Sequence, residues 1–166
     1  MNDPQGKIKI NLGSGKSAPT HQDYLNVDIA DTFREGQVIK PDLLCDMAKL
    51  EFPPETFTEV KAHDCLDHIE YIECLALIRR IYDWLKPNGI IDIHLPNLRV
   101  LAGILAVKED HHAEIWLYGH DGCENAYPTN KIRWSYSKIA MIKNLLNVGF
   151  TIINVSETCN LFGFRV

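Results

Sequence analysis

The run INLGSGKS, residues 10–17, places two glycines two positions apart, followed by a lysine and a hydroxyl. Those residue types build turns whose backbone amides approach an anion or a nucleotide. Two carboxylates follow, Asp28 in LNVD and Asp46 in LLCD. A second cluster, His63, Asp64, Asp67 and His68, mixes imidazoles with carboxylates and so has the raw material for proton transfer. A phosphate loop of the form GxxxxGK[ST] needs a glycine five positions before Gly15, and that residue is Ile10. The dinucleotide pattern is met by Gly13-x-Gly15-x-x-Ala18. Its acid, however, belongs about 20 residues on, beyond a full crossover helix. Asp28 comes only 15 positions after Gly13, with Pro19 in the interval, so little or no helix fits there. A zinc site needs three or four converging ligands. His63 ends a strand and His68 opens a helix, and His120-x-x-Cys123 adds only a pair, so no specific metal is expected.

The elements that would carry these residues follow from periodicity. KIKINL (7–12), YLNVDI (24–29), PDLLCDM (41–47) and TFTEVKAH (56–63) read as strands. Residues 70–85 repeat apolar side chains at helical spacing and stop at LKPNG. GIIDIHLP (89–96) reads as a fifth strand, and residues 98–107 as a helix capped by Asn97. Residues 109–134 show no period and read as a long loop. Residues 135–148 read as a helix with Ser135 as a possible cap and Gly149 as its stop. Two strands, 149–157 and 161–166, close the chain. Strands alternating with helices imply an α/β domain with a mostly parallel sheet and helices on both faces. The last two strands follow too closely for a crossover and should be antiparallel. Ligands of such sheets bind at the carboxyl ends of the strands, where strand order reverses.

The 166 residues amount to one domain, with 46% hydrophobic content for a core. A net charge of −5 argues against nucleic acid as partner. No apolar run approaches the length that spans a bilayer, so no membrane association is expected. Five cysteines, at positions 45, 65, 74, 123 and 159, have no CxxC spacing and read as reduced thiols of a cytoplasmic protein. Nothing in the sequence fixes the oligomeric state.

The order INLGSG, LNVD, DLLCDMAKLEFPPETF, VKAHDCLDHI, LKPNGIIDIHLPN, then a helix and GF, resembles the small class I methyltransferases of the type 11 group, over about residues 8–157. The resemblance implies a Rossmann-like, doubly wound, seven-stranded sheet with a short or absent first crossover helix. It also implies S-adenosylmethionine as cofactor, S-adenosylhomocysteine as product and a small-molecule acceptor. On that pattern Gly13, Ser14 and Gly15 form the turn against the cofactor, and Asn11 stands where an acid is common. Asp28, followed by Ile29, would bind the ribose hydroxyls. Asp46 would accept from the adenine amino group, with Met47 against the ring. His63 and Asp64 would lie beside the methionine moiety. Asp67 replaces the usual glutamate of the LEHI-like run, Thr58 an aspartate, Ser17 a third glycine and Asn130 a histidine. Methyl transfer needs a general base only for a poor nucleophile such as a hydroxyl, and Asp64, His68 and His120 are the candidates. The residues alone leave plainer roles open: a cap for Asp46 or Asp64, a hydrogen-bonded helix-end histidine for His68. The 109–134 loop, with His111, His112, Trp116, Tyr118, His120, Tyr127 and Trp134, is the expected acceptor wall.

Overall fold

A computed structural model describes residues 1–16, 21–31, 38–108, 111–119, 131–157 and 163–165. Five parallel strands form the body of one sheet: β1 (Lys9–Leu12), β2 (Leu25–Asp28), β3 (Leu43–Leu44), β4 (Phe57–His63) and β5 (Leu85–Pro96). They lie in the order β3-β2-β1-β4-β5, and β7 (Gly163–Arg165) then β6 (Ser156–Glu157) follow beyond β5. β7 runs antiparallel to β5 and to β6. Chain order reverses between β1 and β4, so the turn after β1 opens at the switch point.

Period-two alternation gives the sheet two unlike faces. Ile10, Leu12, Leu25, Val27, Val60, Ala62, Ile93 and Leu95 are buried in one core. α1 (Tyr71–Trp84) covers it with Cys74, Leu77, Ile78, Ile81 and Trp84, and a later helix, Lys138–Val148, adds Met141 and Leu145. The residues between them in the strands are polar. Register sets Lys9 beside Glu59, Asn11 between Asn26 and Lys61, Lys61 beside Asp92 and His63 beside His94. Tyr24 lies within reach of the Lys9 and Lys61 ammonium groups, 5.2 and 4.6 Å from its ring centre, and donates to Glu59 Oε1 at 2.5 Å. The described residues of the first two crossovers hold no α-helix, which suits a sheet face that is already hydrophilic.

The remaining elements depart from the sequence reading in four places. The expected loop of 109–134 contains a helix, α3 (His111–Tyr118), which packs on α2 (Leu98–Val107). It shows no clear stripe because that one neighbour, rather than the main core, holds it. The helix read as 135–148 is α4 (Lys138–Val148), and its cap is Ser137, whose hydroxyl accepts from the Ala140 N–H at 3.2 Å. Of the strand read as 149–157, only Ser156–Glu157 is paired, since Phe150 and Ile152 pack on the core without a ladder partner. LKPNG lies inside β5: Phe57 pairs Leu85, the next pair is Glu59 with Ile90, and the residues between form a bulge. Pro87 has no N–H to lose there.

Candidate functional site

The turn after β1 is held in place before any ligand is considered. Gly13 has φ +57, and a Cβ there would sit 2.4 Å from the Cys65 Cβ, so only glycine lets the turn pack on the chain leaving β4. Gly15 has φ +46, but its missing Cβ faces open space. The Ser14 N–H donates to the Val27 carbonyl at 2.9 Å and the Gly15 N–H to Asp28 Oδ2 at 2.8 Å. Asp28 Oδ1 accepts from the Ala30 N–H at 3.1 Å. One carboxylate therefore clamps the glycine turn to the turn after β2. Each of its oxygens has a second lone pair to offer.

Asn11 is buried, and its amide donates to Asn26 Oδ1 at 3.0 Å across the strand pair. Asp46 caps a 3-10 turn (Met47–Lys49): Oδ1 accepts from the Ala48 N–H at 2.9 Å. The plainer cap role is thus real, and Oδ2 is 3.7 Å from Lys49. A cavity of about 320 Å³ opens beside it, lined by Ile29, Asp46, Met47, His68, Ile69, Glu70, Glu73 and Arg133. Ile29, Asp46, Met47 and His68 were expected from the sequence. Ile69, Glu70, Glu73 and Arg133 were missed, because only the fold brings the first turn of α1 and the segment before α4 to the 3-10 turn.

At the carboxyl ends of β4 and β5 two histidines are paired with two aspartates. His94 Nδ1 is 2.7 Å from Asp64 Oδ1 and His63 Nε2 is 3.0 Å from Asp92 Oδ2, and both pairs are aligned poorly for a hydrogen bond. The rings are edge to face with centres 6.0 Å apart. Asp64 has φ +50, a conformation non-glycine residues rarely hold, and its N–H donates to the His94 carbonyl at 2.9 Å. His94 and Asp92 went unnoticed in the sequence, although their alternation in GIIDIHLP put them on one strand face.

A second 3-10 turn, Leu66–His68, follows. His68 Nδ1 is 3.1 Å from the Lys131 carbonyl, so that nitrogen carries the hydrogen. Asp67 is buried, its backbone carbonyl accepting from the Arg133 and Trp134 N–H groups. Its Oδ1 has no hydrogen-bond partner among the described residues, and desolvation pushes its carboxyl above the usual range despite nearby His68. Burial likewise raises the Cys65 thiol well above its ordinary value. His120, Cys123 and Tyr127 lie outside the described residues, which contain no group of three side chains able to hold a metal.

The sheet order, the glycine turn at the switch point and the acid ending β2 together define the architecture. The fold is that of class I S-adenosylmethionine-dependent methyltransferases. An S-adenosylmethionine-dependent methyltransferase from Mesorhizobium loti superposes with a TM-score of 0.61 at 15% identity, covering 99% of this chain and 91% of that one. Phosphoethanolamine N-methyltransferase 2 of Haemonchus contortus, in complex with S-adenosyl-L-methionine, gives 0.55 at 18%, covering 91% of this chain and 34% of that one. The [4+2]-cyclase SpnF gives 0.54 at 17%, covering 91% and 53%. No family model and no curated protein matches the sequence.

Proposed function

We propose that this chain is an S-adenosylmethionine-dependent methyltransferase acting on a small molecule or saccharide precursor, by O- or N-methylation. The observation that carries the reading is the Asp28 clamp: a carboxylate ending β2, tied to the amide of a left-handed glycine, with a lone pair left on each oxygen for a ribose hydroxyl. The cradle fits the nucleoside. Open space faces Gly15, and the cavity beyond Ile29 offers Met47 and Ile69 as apolar walls and Asp46 as an acceptor for an exocyclic amine. Its volume is at the lower end of the roughly 300–1,000 Å³ of small-ligand sites.

On this reading Met47 would hold the adenine, Asp28 the ribose, and Gly13, His63 and Asp64 the methionine moiety. When bound, the cofactor supplies an electrophilic methyl carbon whose bond to sulfur breaks with both electrons staying on sulfur. The chain's own residues bind, orient and handle the acceptor's proton, with Asp64, His68 and His120 as the base candidates from the sequence. β6 and β7 complete the seven-stranded sheet as its antiparallel hairpin.

A second reading is a module that keeps the fold without transferring methyl groups. The [4+2]-cyclase SpnF superposes on this chain, so the fold by itself does not entail methyl transfer. An oxidoreductase using NAD(P) is a distant third, disfavoured by the short first crossover. Calorimetric titration with S-adenosylhomocysteine, NAD and ATP separates them. Micromolar binding of the first alone is expected, and tighter binding of NAD would overturn the assignment. Release of S-adenosylhomocysteine from S-adenosylmethionine over an acceptor panel then separates the enzyme from the non-catalytic module.

A further inference from the structure

We propose that the base of this site is His94, oriented by Asp64, and that the acceptor it serves is a hydroxyl. The inference rests on the methyltransferase reading and deepens it.

The argument begins with the 2.7 Å between His94 Nδ1 and Asp64 Oδ1. Charge favours a proton on that nitrogen over a lone pair so close to a carboxylate, although the N–H is aligned poorly for a hydrogen bond. The other ring nitrogen, Nε2, is then a proton acceptor, and it has no partner among the described residues. A carboxylate beside Nδ1 favours this tautomer and stabilises the imidazolium that forms when Nε2 takes a proton. His68, the candidate chosen from the sequence, has only the neutral Lys131 carbonyl on its Nδ1. It gains orientation from that contact, and the carboxyl near it, Asp67, is one that burial holds toward its neutral form.

The dyad is built rather than incidental. Asp64 holds a left-handed backbone that needs support from its surroundings, and its N–H is anchored on the same residue whose ring it orients. The His94 side chain is only 16% exposed. A second pair, His63 with Asp92, stands beside it on the same strand face. Beside His94 stand Asp64, His63 and Asp92, buried Asp67 is close enough to feel its charge, and Arg165 is its register partner on β7.

The position is appropriate. Ala62 pairs with Leu12, so His63 to Cys65 run beside the glycine turn, and Cys65 fills the space that a Gly13 side chain would need. His94 thus stands at the methionine end of the proposed cofactor, while His68 lines the cavity at the adenine end. The proton balance selects the acceptor. A hydroxyl oxygen bonds to the methyl carbon, loses its proton to His94 Nε2, and leaves a neutral ether and an imidazolium beside Asp64. An amine that attacks in its neutral form does not require a base in the same step.

Imidazole nitrogen NMR of the full chain at pH 8, with His94 assigned by its loss in His94→Gln, tests the dyad without turnover. The expected neutral tautomer is Nδ1–H, reverting to Nε2–H in Asp64→Ala. An Nε2–H tautomer in the unaltered protein overturns the proposal. Titration with S-adenosylhomocysteine should shift the His94 resonances, and His94→Gln should bind it within about twofold of the unaltered protein. Binding that leaves His94 unmoved overturns the proposal while sparing the methyltransferase reading. Absence of binding to the unaltered protein removes both. In a panel of phenols, sugars and amines, methylation should favour hydroxyls and fall about 100-fold or more in His94→Gln. Equal rates in the two proteins, or methylation of amines alone, overturn it.

Discussion

Asp28 has two duties, and they can be separated. Its carboxylate holds the Gly15 and Ala30 amides, and on the proposed reading it also holds the ribose. Hydrogen bonds to a charged group contribute about 1.5–3 kcal/mol each. Asp28→Ala should therefore weaken S-adenosylhomocysteine binding about tenfold or more by calorimetry. Unchanged affinity in a folded variant removes the ribose assignment. Gly13 carries stability as well. Alanine there meets the Cys65 Cβ at 2.4 Å and must hold φ +57. Overpacking costs about 1–3 kcal/mol and the left-handed backbone about 1–2 kcal/mol. Gly13→Ala should lower unfolding free energy by roughly 2–5 kcal/mol in urea. A loss under about 0.5 kcal/mol means the turn moves freely away from Cys65.

At the level of the element, α4 tests how the chain chooses between two serines. Ser135 precedes the apolar period, and Ser137 is the residue whose hydroxyl reaches a free amide, that of Ala140. The reason is the Leu98 N–H, which donates to the Tyr136 carbonyl at 3.0 Å and keeps that residue outside the helix, with its ring buried in the core. Ser137→Ala should cost about 0.5–2 kcal/mol. Ser135→Ala should stay within about 0.5 kcal/mol. Chemical denaturation of the two variants decides it, and the reverse order would mean that α4 begins a turn earlier.

Across the whole molecule, the buried Asp67 links folding to pH. Its folded pKa lies above the unfolded value because burial disfavours the charged form. Between the two values the native state binds the extra proton, so stability falls as pH rises. The full stability is present below the ordinary carboxylate range and is lost as pH climbs through the raised folded value. Asp67→Asn removes that proton equilibrium. Its stability relative to the unaltered protein should therefore increase steadily as pH rises from about 4 toward neutrality. A difference that stays constant with pH would show that Asp67 is ionised as easily in the fold as in the unfolded chain.

The sequence by itself determined the order of the parallel strands' segments, the extent of α1 and α2, the glycine turn and the acids that end β2 and follow β3. These are local signals: period two in short apolar runs, period 3.6 in residues 70–85, and glycine where a backbone must bend left. The helical ends were less legible, because Ser137 outranks Ser135 only through the remote Leu98–Tyr136 hydrogen bond. Helix α3 was hidden because its support is α2 and its own stripe is weak. The site divided in the same way. Asp28, Asp46, His63, Asp64 and His68 could be named from their place after strands. His94 and Asp92 could not be matched with Asp64 and His63, nor Arg133 with the cavity, because they meet only across a strand register and a loop closure. A side chain's type and spacing are fixed by the chain, but its partner is fixed by which strands lie side by side. That choice belongs to the burial of Ile10, Val60 and Ile93 in one core, and it brings His94 within 2.7 Å of Asp64.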